Sequence, residues 1–257
     1  MRLDGAHCLV VGGARRLGRE IALALAGAGS DVAVSTRGAA AEAAATCEAI
    51  RALGRHGVVV TGDVTSPPQA DALVSEAAAE LGGLDVLVYT PSGPFAPAAP
   101  QEIDLATWQA SFDVAARGFF LAACAARERF VAQGAPGDTT ERPAPTRGVI
   151  VALTDVLGSA PWAAFAAHCA AKAAQIMLVR SLAKAWAGDG VRVCGVAPGP
   201  VDLADDPRRE ATLRTAARSA TGRLVQPSEV AAAIAFVVSD DALTGVNIAV
   251  DGGLLLG

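Results

Sequence analysis

Short apolar runs alternate with helix-like segments along the whole chain, and this alternation constrains the fold more than any other feature. The predicted strands cover residues 7–11, 31–35, 58–61, 84–89, 149–153, 191–196 and 247–250. Helices are predicted at 19–26, 39–53, 69–81, 105–133, about 161–187 and 227–239. Because most strand positions are apolar, both faces of the strands must be buried, as in a parallel sheet covered by helices. The pattern predicts a single α/β domain over residues 1–257.

The composition limits the partners that this domain can have. Of 257 residues, 52% are hydrophobic, and the formal net charge is −5. Nucleic-acid and anionic-membrane surfaces need clustered positive charge, which an acidic chain does not favour. No apolar run reaches membrane-spanning length, and the five cysteines follow no zinc-site spacing. We therefore expect a cytoplasmic protein that binds neither nucleic acid nor membrane and holds no metal ion.

A glycine-rich turn separates the first predicted strand from the first predicted helix. It reads Gly12-Gly13-Ala14-Arg15-Arg16-Leu17-Gly18. Glycine lets the backbone approach a pyrophosphate, and a helix N-terminus supplies amide donors and a favourable dipole. Arg15 and Arg16 would add positive charge beside the phosphates. The turn predicts a dinucleotide site, although its spacing differs from G-x-G-x-x-G and a purely structural turn is the alternative.

The end of the second predicted strand bears on the identity of the dinucleotide. An acidic residue there accepts the ribose hydroxyls of NAD, whereas an arginine pairs with the 2′-phosphate of NADP. The chain has Ser35-Thr36-Arg37 and no acid at this point. Arg37 therefore favours NADP(H), and the alternative is a solvated loop charge.

Three titratable side chains, Asp155, His168 and Lys172, follow the fifth predicted strand. Open α/β sheets bind their ligands beyond the carboxyl ends of the strands. His168 and Lys172 are four residues apart, so they share one face of a helix. The chain has only one other lysine, Lys184, so lysine is not a routine surface residue here. We expect the catalytic centre in this stretch.

These motifs resemble the short-chain dehydrogenase/reductase family over nearly the whole chain. The glycine turn is similar to that of the pteridine-reductase-like members, with Arg16 where most members have glycine. The resemblance implies a Rossmann-type doubly wound parallel sheet with helices on both faces, a nicotinamide dinucleotide and a small-molecule substrate. Together with the turn, it gives as cofactor-binding residues Gly12, Gly13, Arg15, Arg16, Leu17, Gly18, Arg37, Asp63, Val64, Lys172, Pro198, Gly199 and Val201.

The catalytic positions depart from the family pattern. Members carry Asn, Ser, Tyr and Lys, and the corresponding residues here are Ala115, Asp155, His168 and Lys172. The interval from Asp155 to His168 equals the family's interval from Ser to Tyr, which supports this register. In the family, the Tyr donates a proton to the carbonyl oxygen, and the Lys holds the nicotinamide ribose. The resemblance puts His168 in the place of the Tyr, where an imidazolium is the candidate proton donor, and the alternative is a buried histidine in a relic site. Asp155 is the candidate to orient its ring, as a carboxylate orients the base of a catalytic triad.

Three functions remain open from the sequence. The first is NADP(H)-dependent reduction of a carbonyl or activated C=C bond. The second is a non-redox reaction of Asp155 and His168, such as dehydration, isomerisation, cyclisation or carbon–carbon bond chemistry. The third is dinucleotide binding without catalysis. The glycine turn, Asp63 and Lys172 favour the first.

Other residues near the predicted cleft have two interpretations each. Tyr89, the only tyrosine, either supplies a hydroxyl to the reaction or, more simply, packs at a strand end with its hydroxyl in water. Phe95 and Trp162 are candidate pocket walls. The segment 203–222 corresponds to the family's substrate lid. Its arginines either attract an anionic substrate or form a solvated helix face; they are Arg208, Arg209, Arg214 and Arg218.

Two further segments carry predictions about dynamics and assembly. Residues 134–147 are rich in Pro, Gly and polar residues, which predicts a mobile loop. The long helices predicted at 105–133 and 161–187 are apolar over much of their surface. Corresponding helices pair across a two-fold axis in the family, so the resemblance implies a homodimer or homotetramer.

Overall fold

A computed structural model describes residues 1–134, 146–203 and 206–256. These residues form a seven-stranded parallel sheet with helices on both faces, which confirms the predicted fold class. The loop predicted at 134–147 lies outside the described residues apart from 134, 146 and 147, as do residues 204 and 205 of the predicted lid. Within the described ranges, no helix combines the length and apolarity needed to cross a membrane.

The sheet positions the loops that follow its strands. Its strands are β1 His7–Val11, β2 Asp31–Thr36, β3 Gly57–Thr61, β4 Val86–Tyr89, β5 Gly148–Leu153, β6 Val191–Pro198 and β7 Asn247–Val250. Their order is β3-β2-β1-β4-β5-β6-β7, and each neighbouring pair is parallel. All residues of β5 are buried, as expected of a strand that is covered on both faces.

The helices begin where local chemistry favours a helix start. They are α1 Arg16–Gly27, α2 Ala40–Ala52, α3 Pro67–Leu81, α4 Leu105–Phe112, α5 Phe119–Ala132, α6 Ala166–Trp186, α7 Arg209–Ala216 and α8 Pro227–Ser239. Proline occupies the first turn of α3 and of α8, where its missing amide is not needed. Asp104 caps α4 by accepting a 2.6 Å hydrogen bond from the Thr107 amide.

Two apolar clusters hold the helices to opposite faces of the sheet. The side chains of strand β1 are divided between the two clusters. Cys8 and Val10 belong to the cluster beneath α1, α2 and α8, whereas Leu9 and Val11 belong to the cluster beneath α3, α5 and α6. Alternate side chains of one strand therefore face two separate halves of the core.

Two long helices differ from their predictions. The helix predicted at 105–133 is not continuous, because a π-helical turn at Asp113–Gly118 separates α4 from α5. This turn contains Val114, whose carbonyl accepts a hydrogen bond from the Tyr89 hydroxyl, and apolar periodicity does not report such a bond. The helix predicted at about 161–187 begins only at Ala166, after a short 3-10 turn at Ala163–Phe165. A π-helical turn such as the one at Asp113–Gly118 is often found at a functional site.

The strand order creates a topological switch point next to β1. From β1 the chain builds β2 and β3 on one side, and it then returns to place β4 on the other side. Open α/β sheets bind ligands in the crevice outside the carboxyl ends of the strands at such a point. The loops that follow β1, β4, β5 and β6 therefore meet where a ligand site is expected.

Candidate active site

A cavity of about 590 Å³ lies at this edge of the sheet. It is lined by predicted residues from three separate stretches of the chain. These are Gly12, Arg15, Arg16, Leu17, Gly18, Asp155, His168, Lys172, Pro198, Gly199 and Val201. The fold therefore brings the glycine turn, the three titratable groups and the Pro198 turn together around one space.

The remaining predicted cofactor residues are not among those that line the cavity. Gly13 and Val64 are buried. Arg37 and Asp63 pair with each other after β2 and β3, with 3.5 Å between Nη1 and Oδ2. Hydrogen bonds from the Thr65 amide and hydroxyl, helped by Arg37, lower the pKa of Asp63. This charge pair therefore lies after β2 and β3, on the side of β1 that is away from β4.

The glycine turn has the shape of an anion cradle. Helix α1 begins at Arg16, so the unpaired amides of its first turn lie at the cavity wall. A methyl group at Gly18 would overlap the Gly12 carbonyl oxygen, so the helix and the turn approach too closely for any side chain. Arg16 has a φ of 53°, the one positive φ among the described non-glycine residues. Such strain is typical of ligand sites, and the whole cradle fits a dinucleotide pyrophosphate.

Asp155 and His168 form a hydrogen-bonded pair in the cavity wall. His168 Nε2 lies 3.0 Å from Asp155 Oδ2, and the His168 side chain is 5% exposed. Asp155 Oδ1 accepts a 2.9 Å hydrogen bond from the Leu157 amide, which fixes the carboxylate. The loop can approach α6 because residue 158 is glycine: a methyl group there would lie 2.9 Å from the Lys172 carbonyl carbon.

Lys172 lies one helical turn beyond His168 and is buried. Its Nζ donates hydrogen bonds to the Leu153 carbonyl at 2.8 Å and to Gln175 Oε1 at 3.0 Å. Burial lowers the pKa of Lys172 to about 8, against the opposing effect of Asp155. An ammonium group has three donors, so one N–H of the cavity-lining Lys172 is left for a ligand.

Aromatic side chains form the part of the wall next to His168. The Phe95 ring packs edge-on against His168 with 4.7 Å between ring centres, and it stacks on Phe165 at 4.4 Å. Trp162 also lines the cavity, which agrees with the prediction of Phe95 and Trp162 as walls. This part of the cavity wall therefore combines apolar rings with ionisable groups.

Comparison with known proteins places the chain in a family. A family model described as enoyl-(acyl carrier protein) reductase matches residues 12–255. The chain is 36% identical over 250 residues to the cis-4-hydroxycyclohexanecarboxylate dehydrogenase of Sinomonas cyclohexanicum, a match that covers 95% of this chain and 94% of the relative. It is 31% identical over 262 residues to 3beta-hydroxysteroid dehydrogenase 1 of Eggerthella lenta, and this match covers 99% of this chain and 95% of the relative. The chain belongs to the short-chain dehydrogenase/reductase family.

A solved member of the family supports the same assignment from the fold. The structure of a short-chain dehydrogenase from Burkholderia cenocepacia J2315 in complex with NADP has a TM-score of 0.86 and 30% identity. The match covers 99% of this chain and 100% of that one. This short-chain dehydrogenase/reductase therefore has its family's sheet and helices along nearly its full length.

Neither interpretation of Tyr89 holds in this short-chain dehydrogenase/reductase. Its side chain is fully buried, and its hydroxyl donates to the Val114 carbonyl in the π-helical turn. Tyr89 is not among the residues that line the cavity. Its hydroxyl is neither in water nor available to a substrate, and burial raises its pKa far above the usual value.

The lid arginines divide into two groups. Arg209 pairs with Asp202 at 2.9 Å and Arg214 with Glu210 at 2.7 Å, as expected of a solvated face. Arg208 instead lines the cavity. Arg218 lies over the Trp162 ring, 5.8 Å from its centre. The sequence did not separate these roles, because all four arginines lie in one polar segment.

Three residues that shape the site were missed by the sequence analysis. Gln175 binds Lys172, Asp206 lies in the cavity wall, and Phe165 stacks on Phe95. Gln175 has a usable signal, because it is three residues after Lys172 and so lies on the same helical face. Asp206 has none, since its pairing with Arg16 depends on the tertiary fold and not on local sequence.

Proposed function

We propose that this chain is an NADP(H)-dependent oxidoreductase that interconverts a carbonyl compound and the corresponding alcohol. The observation that carries the proposal is that the Asp155–His168 pair and Lys172 line the same cavity as the glycine turn. In this proposal, Ala115, Asp155 and His168 stand at the Asn, Ser and Tyr positions of the family. Only Lys172 keeps the family's residue.

The site residues divide the chemistry between them. A bound NADPH would supply a hydride to the carbonyl carbon. With His168 as the imidazolium, the Asp155–His168 pair gives one proton to the carbonyl oxygen and is left as a neutral imidazole beside a carboxylate; solvent then restores that proton. In the reverse direction, the carboxylate–imidazole pair accepts the proton of an alcohol. The free N–H of Lys172 binds the nicotinamide ribose, and Phe95 shields His168 from water.

The names of two relatives share a hydroxyl group on the substrate but differ in its carbon skeleton. One is named for a hydroxylated cyclohexanecarboxylate and another for a hydroxysteroid, both of which are cyclic alcohols. Hydride exchange at a carbinol carbon is the shared feature that we carry to this chain. The carbon skeleton of this chain's substrate has to be inferred from the residues that line its own cavity.

The test of this function is a spectroscopic assay. The enzyme is mixed with NADPH and a panel of cyclic and open-chain ketones, and with NADP and the matching alcohols. We expect a change in reduced-nicotinamide absorbance with at least one pair. Tight dinucleotide binding without any absorbance change across the panel would overturn the redox proposal in favour of a non-redox reaction of Asp155 and His168.

Arg37 is expected to set the preference for NADP over NAD. An arginine fork pairs well with a phosphate group, and the Arg37 side chain is 74% exposed, free to meet a ligand. Loss of such a charge-assisted contact in Arg37→Ala costs about 2 kcal/mol, so the ratio of NADP to NAD affinity should fall about thirtyfold. Fluorescence titration with both dinucleotides measures this ratio.

A matched control stands at the other end of the same strand. Arg55 pairs with Asp31 at 3.0 Å, where β2 begins, far from the cofactor edge. Arg55→Ala should leave the affinity ratio unchanged even if it alters stability. A wild-type enzyme that binds NAD as tightly as NADP would refute the role of Arg37.

We also propose that the chain forms a homo-oligomer through α4, α5 and α6. Large apolar side chains on these helices are exposed: Leu105 at 84%, Trp108 at 41%, Phe120 at 42% and Met177 at 57%. Large apolar side chains that are exposed on neighbouring helices favour an interface with another chain. We expect a dimer or tetramer by sedimentation at micromolar concentration, and Phe120→Glu should shift it towards monomer. A wild-type monomer under these conditions would contradict the proposal.

A further inference from the structure

Arg208 is held in a fixed position at the cavity wall. Its Nη1 donates to the Phe95 carbonyl at 2.7 Å, and its Nε lies 3.3 Å from Asp206 Oδ1. The guanidinium carbon is 4.6 Å from the centre of the Phe95 ring. Its third nitrogen, Nη2, has no hydrogen-bond partner among the described residues. An arginine fixed in this way loses little conformational entropy when its remaining N–H groups bind a ligand.

The charges around Arg208 leave it able to bind an anion. Asp206 is shared between two arginines, because its Oδ2 also lies 3.9 Å from Arg16 Nη2. Burial acts to raise the pKa of Asp206, but the Arg208 amide and guanidinium, with Arg16, lower it overall. The group of Arg16, Asp206 and Arg208 therefore carries one net positive charge. Asp206 orients Arg208 without removing the positive potential from the cavity.

The space between Arg208 and the reacting pair is short and apolar. Phe95 contacts both groups: the centre of its ring lies 4.6 Å from the Arg208 guanidinium carbon and 4.7 Å from the centre of the His168 ring. Phe165, Trp162 and Leu203 complete the nearby wall. Aromatic and aliphatic side chains of this kind pack against a flat or cyclic carbon skeleton. The short span favours a compact molecule over a long acyl chain.

We propose that this enzyme takes a compact cyclic oxo acid or hydroxy acid, whose carboxylate is bound by Arg208. The ring packs against Phe95, and the reacting oxygen faces Asp155 and His168 at the opposite end. The choice of reacting group rests on the proposed oxidoreductase function. The carboxylate contact does not, so binding can test it separately from turnover.

The first experiment measures binding with probes that cannot react. The enzyme, saturated with NADP, is titrated calorimetrically with cyclohexanecarboxylate and with cyclohexanecarboxamide, its neutral isostere. We expect the carboxylate to bind about tenfold more tightly, because a charge-assisted hydrogen bond is stronger than a neutral one by about 1.4 kcal/mol. Equal binding of the two probes to the wild-type enzyme would overturn the proposal without any mutation.

Two arginine variants assign the contact to its residue. Arg208→Gln should abolish the difference between carboxylate and carboxamide, and Arg208→Lys should retain part of it, since lysine keeps the charge but not the fork. Arg214→Gln is the matched control: it removes the same charge from α7, at a side chain that is 68% exposed and paired with Glu210. If Arg208→Gln keeps the wild-type difference, or Arg214→Gln loses it equally, the contact is not with Arg208.

Turnover separates this proposal from the one on which it rests. The enzyme is assayed with NADPH and either 4-oxocyclohexanecarboxylate or its methyl ester. We expect the acid to have the higher kcat/KM, and the acid-to-ester ratio to fall about tenfold or more in Arg208→Gln but not in Arg214→Gln. Equal use of acid and ester would overturn the carboxylate proposal and leave the oxidoreductase standing. Selective carboxylate binding without turnover of any ketone would overturn the oxidoreductase proposal and leave the carboxylate proposal standing.

Discussion

His168→Ala is expected to lower kcat by about a hundredfold to ten-thousandfold, the usual contribution of a general acid–base group. The reason is geometric: His168 is the cavity-lining group that shares a hydrogen bond with Asp155, and its ring packs against Phe95 in the cavity wall. Cofactor affinity should change little, because the glycine turn is formed by other residues. Stopped-flow measurement of a single turnover, with a separate dinucleotide titration, distinguishes these effects.

Two further variants keep this test independent of folding. His168→Gln retains a hydrogen-bonding side chain of similar reach but cannot transfer a proton in the same way, so it should lose as much kcat as alanine while remaining closer to wild type in stability. Tyr89→Phe is the control for a hydroxyl group: it should lower stability by about 0.5–1.5 kcal/mol, because it removes the hydrogen bond to the Val114 carbonyl, and should keep kcat within a few-fold. A His168→Ala enzyme with normal kcat would exclude His168 as the proton donor.

The pairing of residues 155 and 168 adds a second readout. His168→Tyr alone places a phenol beside a carboxylate, whereas His168→Tyr with Asp155→Ser places hydroxyl groups at the two positions that we propose correspond to the Tyr and Ser of the family. If the pair acts as one unit, the effects of the two substitutions on kcat should be strongly non-additive. Additive effects would indicate that Asp155 acts on the backbone of its own turn and not on His168.

The sequence predicts elements best where their signals are local. Strand β1, strand β7 and helix α8 have the predicted boundaries, because each is a run of regular apolar spacing ended by glycine, proline or polar residues. The proximity of His168 and Lys172 also followed from helical spacing alone. The approach of Asp155 to His168 was inferred by resemblance, and the 3.0 Å hydrogen bond places the two side chains together.

The sequence fails where a contact joins distant segments. Arg208 binds the carbonyl of a residue 113 positions away, so the four lid arginines could not be distinguished before the fold was known. Tyr89 shows the same limit, because its partner Val114 lies in a π-helical turn that interrupts an otherwise regular apolar pattern. Apolar periodicity reports which face of an element is buried, but it does not report which polar group lies opposite.

Gly18→Ala is expected to weaken dinucleotide binding by about a hundredfold, the loss of about 3 kcal/mol. A methyl group at Gly18 would overlap the Gly12 carbonyl, so helix α1 must move away from the turn. The amides of the two elements then no longer converge on the pyrophosphate. The same overpacking should lower the free energy of unfolding by about 1–3 kcal/mol. Calorimetric titration with NADP and urea denaturation measure the two effects.

Helix α1 offers a matched control at its other end. Gly27 is exposed, and a methyl group there would meet nothing within 4 Å. Gly27→Ala should therefore leave NADP affinity unchanged and raise stability by up to about 1 kcal/mol, because alanine favours the helix over glycine. The two variants make the same chemical change in one helix, so a difference in cofactor affinity between them isolates the contact with Gly12. Equal NADP affinity in both variants would mean that the pyrophosphate is not held at this turn.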